Sequence, residues 1–353
     1  MKIMILGASY GSLLSTKLLM AGHDVTLICR ERSAELINQA GTEVRIKLRD
    51  EDAHRAIFSR DLPGKVNAMT PAEARPEAYD LIGLAMQEPQ YAEPAVKTLM
   101  GRIAASRKPC LSIMNMPPLP FLRRIEALKD APLERCYNDA SVWRGFEPGL
   151  MSLCSPDPQA FRPPQEATNV LQVGLPTNFK ATAFADPAHA AMLRRVEADI
   201  AAVRLDGKDV PVKIRVFDSL FVPMAKWSML LTGNYRCVQN DDIRAIRDAV
   251  HGDIDAAADM YSWVDHLARQ LGADNADQVP FEKYAKAAES LLKPSSAARA
   301  IDAGAKQIER VDLLVQQIGT SLGLNNLVLN ETVAIVNARL ALNRTEMQVS
   351  KVA

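Results

Sequence analysis

The chain has 353 residues, 48% of them hydrophobic, with 17 Gly and 21 Pro, so it is long enough for about two packed domains and is neither disordered nor collagen-like. Lys and Arg number 42, and so do Asp and Glu; zero formal net charge without a long run of one sign argues against a nucleic-acid binder. Five scattered cysteines (Cys29, Cys110, Cys136, Cys154, Cys237) without a C-x-x-C pair indicate neither a disulfide framework nor a thiolate zinc site, and fit a reducing cytoplasm. No membrane span and no secretion signal are expected, because uncharged apolar runs are short and the first meets Gly7 almost at once.

Residues 3–6 form a short apolar run, residues 7–12 are small and polar, and residues 13–20 carry apolar side chains at helical spacing before Gly22. A second buried strand over Asp24-Val-Thr-Leu-Ile-Cys29 completes a β-α-β unit with a right-handed crossover, hence a parallel sheet. Strands at 43–48, 81–86 and 110–114, with a helix over 93–105, continue the alternation. Prolines then divide residues 132–187 into short strands such as 169–174, assigned to the far side of the sheet. A helix at 189–203 and a strand at 212–216 close this part.

From Pro223 the pattern turns helical. Ile243, Ile246, Val250, Ile254, Ala258, Tyr261, Val264, Leu267 and Leu271 step by three or four up to Gly272, predicting one long amphipathic helix. A helix at 281–292 follows, then one opened by Pro294-Ser295-Ser296 and ended by Gly323, and a last one capped by Asn330. The reading is α/β: a doubly wound, Rossmann-like domain over 1–218, then an all-helical domain over 219–353.

The turn Gly7-Ala8-Ser9-Tyr10-Gly11 stands where a helix N-terminus attracts anionic oxygens, as in dinucleotide sites. Its glycines depart from G-x-G-x-x-G, since Ser9 and Ser12 occupy the second and third places. Past the second strand, where an NAD site carries an acid, stand Arg30 and Arg32, suited to pair with the 2′-phosphate of NADP. Gln87 and Gln90 follow the 81–86 strand and Asn115 follows the 110–114 strand, all at strand ends that face a ligand crevice.

With Gly7, Gly22-His23-Asp24-Val25, Arg30, Gln87 and Asn115 in this order, the chain resembles the ketopantoate reductases. That resemblance implies an NADPH-binding domain followed by a helical one, and a lysine that polarises a carbonyl and protonates the alkoxide. Lys226 in Met224-Ala-Lys-Trp-Ser-Met is the candidate, although alignment on Trp227 puts Met229 there; Asn234 matches the second of the family's asparagines. Ser295 or Ser296 matches the family serine and Glu309, in preference to Gln307, its glutamate. The expected activity is NADPH-dependent reduction of a small 2-oxo acid; an opine-type imine reduction and a non-catalytic NADP-binding protein stand as alternatives. The histidines lack metal-ligand spacing, so no metal is assigned. The only partner read is a small-molecule substrate, and the helical domain admits a homodimer.

Overall fold

The computed structural model describes residues 1–352, with side chains through residue 345. The chain divides into two compact units. One comprises Met1–Met86, Gln90–Arg124 and Ser141–Pro223; the other comprises Gln87–Pro89, Ile125–Ala140 and the chain from Met224 onward.

The first unit opens with β1 (Lys2–Leu6), α1 (Gly11–Met20), β2 (Asp24–Ile28) and α2 (Glu31–Ala40). β1 and β2 are apolar and buried on both faces beyond their first residue, as a parallel sheet covered by helices requires. β3 (Glu43–Lys47), β4 (His54–Phe58), β5 (Val66–Met69) and β6 (Leu81–Leu84) follow, then α3 (Pro94–Ser106), β7 (Cys110–Ile113) and the single turn α4 (Leu119–Leu122). Next come β8 (Met151–Ser155), β9 (Gln159–Phe161), β10 (Val170–Leu175) and β11 (Phe179–Thr182). α5 (Pro187–Ala202), the small hairpin β12 (Arg204–Leu205) and β13 (Lys208–Asp209), and β14 (Ile214–Phe217) complete the unit.

The main sheet has the order β14-β11-β8-β7-β6-β1-β2-β5. Strands β5 through β8 in that order run parallel, and β11 turns antiparallel to β8. Because β2 lies on one side of β1 and β6 on the other, the strand order reverses at the carboxyl end of β1, where open α/β sheets bind ligands.

Two expectations need correction. The strands expected in the main sheet at 43–48 and 169–174 belong instead to a second sheet, β4-β3-β10-β9. The physical reason is visible in β3: only Val44 and Ile46 are buried, an alternation that suits a one-sided sheet, whereas the place beside β2 is taken by the short β5.

The second unit contains α6 (Lys226–Met229), which passes into a π-helical turn at Leu230–Asn234 and a 3₁₀ turn at Tyr235–Cys237. α7 (Ile246–His251), α8 (Ile254–Gln270), α9 (Phe281–Ala288), α10 (Ser296–Asp302), α11 (Val311–Ser321) and α12 (Leu327–Val352) follow. The long helix expected through Ile243–Leu271 is thus two: Asp253 accepts a hydrogen bond from the Ala256 N–H (3.0 Å) and caps a new start. The helix expected from Pro294 to Gly323 is also two, since α10 stops before Gly304 (φ 84°). The last helix is capped by Asn326, whose Oδ1 accepts from the Leu329 N–H at 2.9 Å, whereas Asn330 is bonded to Asn325 and Gln316. Among the described residues no helix is long and apolar enough to cross a membrane.

Candidate functional site

Gly7 leaves β1 with φ 101°, its N–H donating to Ile28 O and its carbonyl accepting from the Gly11 N–H, both at 3.0 Å. A Cβ there would press on the Ala85 carbonyl and come within 2.7 Å of Met86 Cγ, so only glycine lets the chain after β6 approach this closely. Gly11 is already the first residue of α1, and a Cβ on it would lie 2.6 Å from Ile5 Cγ2; it serves close packing of helix on strand. The backbone N–H groups of Ser9 and Tyr10 have no partner among the described residues and stand at the start of a ten-residue helix, a position suited to an anion. Tyr10 contributes this N–H and not its ring: the ring packs edge-on against Phe179, and its hydroxyl donates to Pro158 O at 2.5 Å.

At the end of β2, Arg30 is the exposed N-cap residue of α2 and Arg32 lies exposed in its first turn. Cys29 beside them is half-buried; burial pushes its thiol up to about 11, and the positive charge of Arg162 opposes that shift. Arg162 therefore belongs to the same neighbourhood, which its distance in sequence concealed. Beyond β7, Asn115 is half-buried, and its Oδ1 is inaccessible to water and without a partner among the described residues. Gln90 is exposed. Between them the chain is anchored by Tyr91, whose hydroxyl accepts from the Met86 N–H at 3.1 Å and whose ring meets Trp143.

In the second unit Lys226 opens α6 half-buried, next to the buried Trp227. The π turn that follows adds a residue to the helix, a distortion frequent at functional sites, and carries Asn234 at its end. Tyr284 donates from its hydroxyl to Met229 O at 3.1 Å and occupies the space where a side chain on Gly233 would project. Ser295 caps α10 through the Ala298 N–H (3.1 Å) and donates to Asn234 O at 2.7 Å.

Glu309 lies on the connection just before α11, so a helical rotation cannot distinguish it from Gln307, contrary to expectation. Its backbone carbonyl accepts from the Tyr235 hydroxyl at 2.5 Å, and that hydroxyl accepts from the Val311 N–H at 3.1 Å. Its Oε1 accepts from the Glu88 N–H at 3.3 Å. The Glu88 carboxyl is buried and accepts from the Asn138 N–H at 3.1 Å. Burial, with the Glu309 charge as a smaller cause, pushes Glu88 up to about 7 against the N–H bonds of Asn138 and Asp139. Next to this cluster Arg310 grips the fully buried Asp312 through two bonds of 2.9 Å. Among the described residues no His, Cys, Asp and Glu side chains gather as a metal site.

No protein-family model matches the sequence, and no curated protein does. Solved structures match along its whole length. The 2-dehydropantoate 2-reductase of Methylococcus capsulatus superposes with a TM-score of 0.68 at 13% identity, over 97% of this chain and 98% of that one. A D-mandelate dehydrogenase determined with NADH and anilino(oxo)acetate gives 0.64 at 14%, over 98% and 100%. The dimeric ketopantoate reductase of Staphylococcus aureus gives 0.62 at 12%, over 97% and 100%. The chain has the ketopantoate reductase fold.

In this ketopantoate reductase fold the predicted residues fall into separate groups. Gly7, Ser9, Tyr10, Gly11, Arg30 and Arg32 gather at the carboxyl ends of β1 and β2, and Asn115 follows β7 in the same unit. Asn234 and Ser295 are brought together by a direct bond, whereas Ser296 is exposed and accepts from Arg299 at 3.2 Å. Gln87 is exposed and grouped with the second unit, and Gln90 with the first. Glu88 was missed; the signal was a lone acid between two glutamines directly after a buried strand.

Proposed function

We propose that the protein is an NADPH-dependent reductase of a small 2-oxo acid, a divergent relative of the ketopantoate reductases. The observation that carries this reading is the Gly7–Gly11 turn: a close-approach glycine, two unpartnered N–H groups and a helix start coincide at the point where the strand order reverses. The group that fits there is a dinucleotide, whose pyrophosphate would take the N–H groups of Ser9 and Tyr10. Arg30 and Arg32, joined by Arg162, would take a 2′-phosphate, for which guanidinium groups are suited. The cofactor supplies hydride when bound.

The chain's own residues would then handle the substrate. Asn115 brings a buried, unpartnered amide oxygen that can accept from a ribose hydroxyl or a carboxamide. Lys226 would polarise the oxo group and give a proton to the alkoxide oxygen. Asn234, held by Ser295, and Glu309, held by Tyr235 and Glu88, would fix the substrate's polar groups. Neighbours named 2-dehydropantoate 2-reductase and D-mandelate dehydrogenase support a 2-oxo acid as substrate, and the dimeric neighbour supports a homodimer.

The test is NADPH consumption across a panel of 2-oxo acids, ketopantoate included, each with and without amino acids, for the wild type and Lys226→Ala. The expected result is turnover of at least one 2-oxo acid without amine and a loss of at least 100-fold in kcat in the variant. Turnover only with amine would mean imine reduction. NADPH binding without any turnover would mean a non-catalytic binder.

A further inference from the structure

The first unit contains an opening that none of the reductase candidates lines. A cavity of about 510 Å³, within the range of small-molecule sites, lies beside the second sheet where β3 ends and β4 begins. Its floor is apolar: Leu48 and Val173 are each 2% exposed, and Pro211 adds a wall. Its rim is basic: Lys47, Arg49 and His54 all face it, and no carboxylate lines it.

Lys47 and Arg49 are poorly neutralised. The acid nearest to Lys47, Asp52, is 3.9 Å away and fully exposed, and Arg49 makes no ion pair among the described residues. His54 is oriented by Val173 O, 3.1 Å from its Nε2; a carbonyl can only accept, so Nε2 carries the proton. Behind the wall lies the amine of Lys17, which burial pushes down to about 7. Lys17, 2% exposed, donates to Pro211 O at 2.9 Å and to Val210 O at 3.3 Å. The next residue, Val212, is held at φ 63°, a left-handed conformation rare for a β-branched side chain. The carbonyls of Val210 and Pro211 are thus both engaged by Lys17.

We propose that this cavity binds a small amphipathic anion, with a carboxylate at Lys47 and Arg49 and a short aliphatic chain over Leu48, Val173 and Pro211. An inorganic anion would leave the apolar floor unused, and a nucleotide base finds no Phe, Tyr or Trp ring among the lining residues. The inference is independent of the reductase reading, because it concerns other residues and is read by binding without turnover.

The experiment is calorimetric titration of the full-length protein with hexanoate, hexylammonium, 1-hexanol and inorganic phosphate. Hexanoate is expected to saturate one site, and the Lys47→Gln/Arg49→Gln double variant to bind it at least tenfold more weakly. Both side chains are exposed, so the variant should keep its thermal midpoint, and a circular-dichroism melt checks this. Lys226→Ala should bind hexanoate as the wild type does. The proposal is overturned if hexanoate does not saturate, if phosphate or hexanol binds as tightly, if the double variant binds unchanged, or if Lys226→Ala abolishes binding.

Discussion

Replacing Gly7 by Ala separates two costs that the structure distinguishes. An L side chain in left-handed backbone costs about 1–2 kcal/mol, and both Gly7 (φ 101°) and Gly22 (φ 81°) lie in that region. Their surroundings differ. A Cβ on Gly22 meets nothing within 4 Å, whereas one on Gly7 lies 2.7 Å from Met86 Cγ and 3.0 Å from the Ala85 carbonyl carbon, with the carbonyl oxygen closer still. Relieving that overlap requires β1 to move away from the chain after β6, which adds roughly 1–3 kcal/mol of overpacking. Gly22→Ala should therefore lose about 1–2 kcal/mol and Gly7→Ala about 2–5 kcal/mol. Hydrogen exchange of the β1 and β2 amides reads the stability of the unit concerned without assuming that both units unfold together. NADPH fluorescence titration reads the consequence: Gly7→Ala should bind at least tenfold more weakly, Gly22→Ala within twofold of wild type. Equal losses of stability and equal affinities in the two variants would refute the close-approach argument.

Other outcomes follow from the same geometry. The Glu88 carboxyl titrates at about 7 in the folded chain, above its ordinary 4.5, so the folded state holds the proton more tightly than the unfolded one. The contribution of Glu88 to stability should be fully present below pH 4.5 and fall by about 3 kcal/mol as the pH rises through 7, a dependence that Glu88→Gln should remove from the difference between urea unfolding at pH 5 and at pH 8. Ser295→Ala should cost about 1 kcal/mol through the lost α10 cap, and should also raise KM by releasing Asn234, which steady-state kinetics would show. Arg30→Gln combined with Arg32→Gln should weaken NADPH at least tenfold and NADH less than threefold in fluorescence titrations; equal weakening would place the 2′-phosphate elsewhere.

The β1-α1-β2 unit was legible because its strands are continuous apolar runs and its turn is glycine-led; both signals are local. α5 and the helical second half were legible for the same reason, in their periodicity. The breaks were not, because Asp253 and Gly304 interrupt stripes that apolar spacing alone carries through. β5 and β8 escaped notice, since Val-Asn-Ala-Met and Met-Ser-Leu-Cys-Ser have no distinctive pattern and become strands by pairing with β2 and β7. Among site residues, Gly7, Arg30 and Asn115 could be placed from the ends of strands. The Tyr235–Glu309 and Glu88–Glu309 contacts could not, since they join segments 74 and 221 residues apart that no spacing relates.

The most direct test of the account follows the hydride itself. The wild type should be incubated with NADPH carrying deuterium at the transferable position of the nicotinamide and with the best 2-oxo acid of the panel, and the product examined by mass spectrometry and proton NMR. The account predicts a 2-hydroxy acid heavier by one mass unit, with the deuterium on C2 and a single configuration there. A product without deuterium at C2, or no product while NADPH is bound, would contradict it.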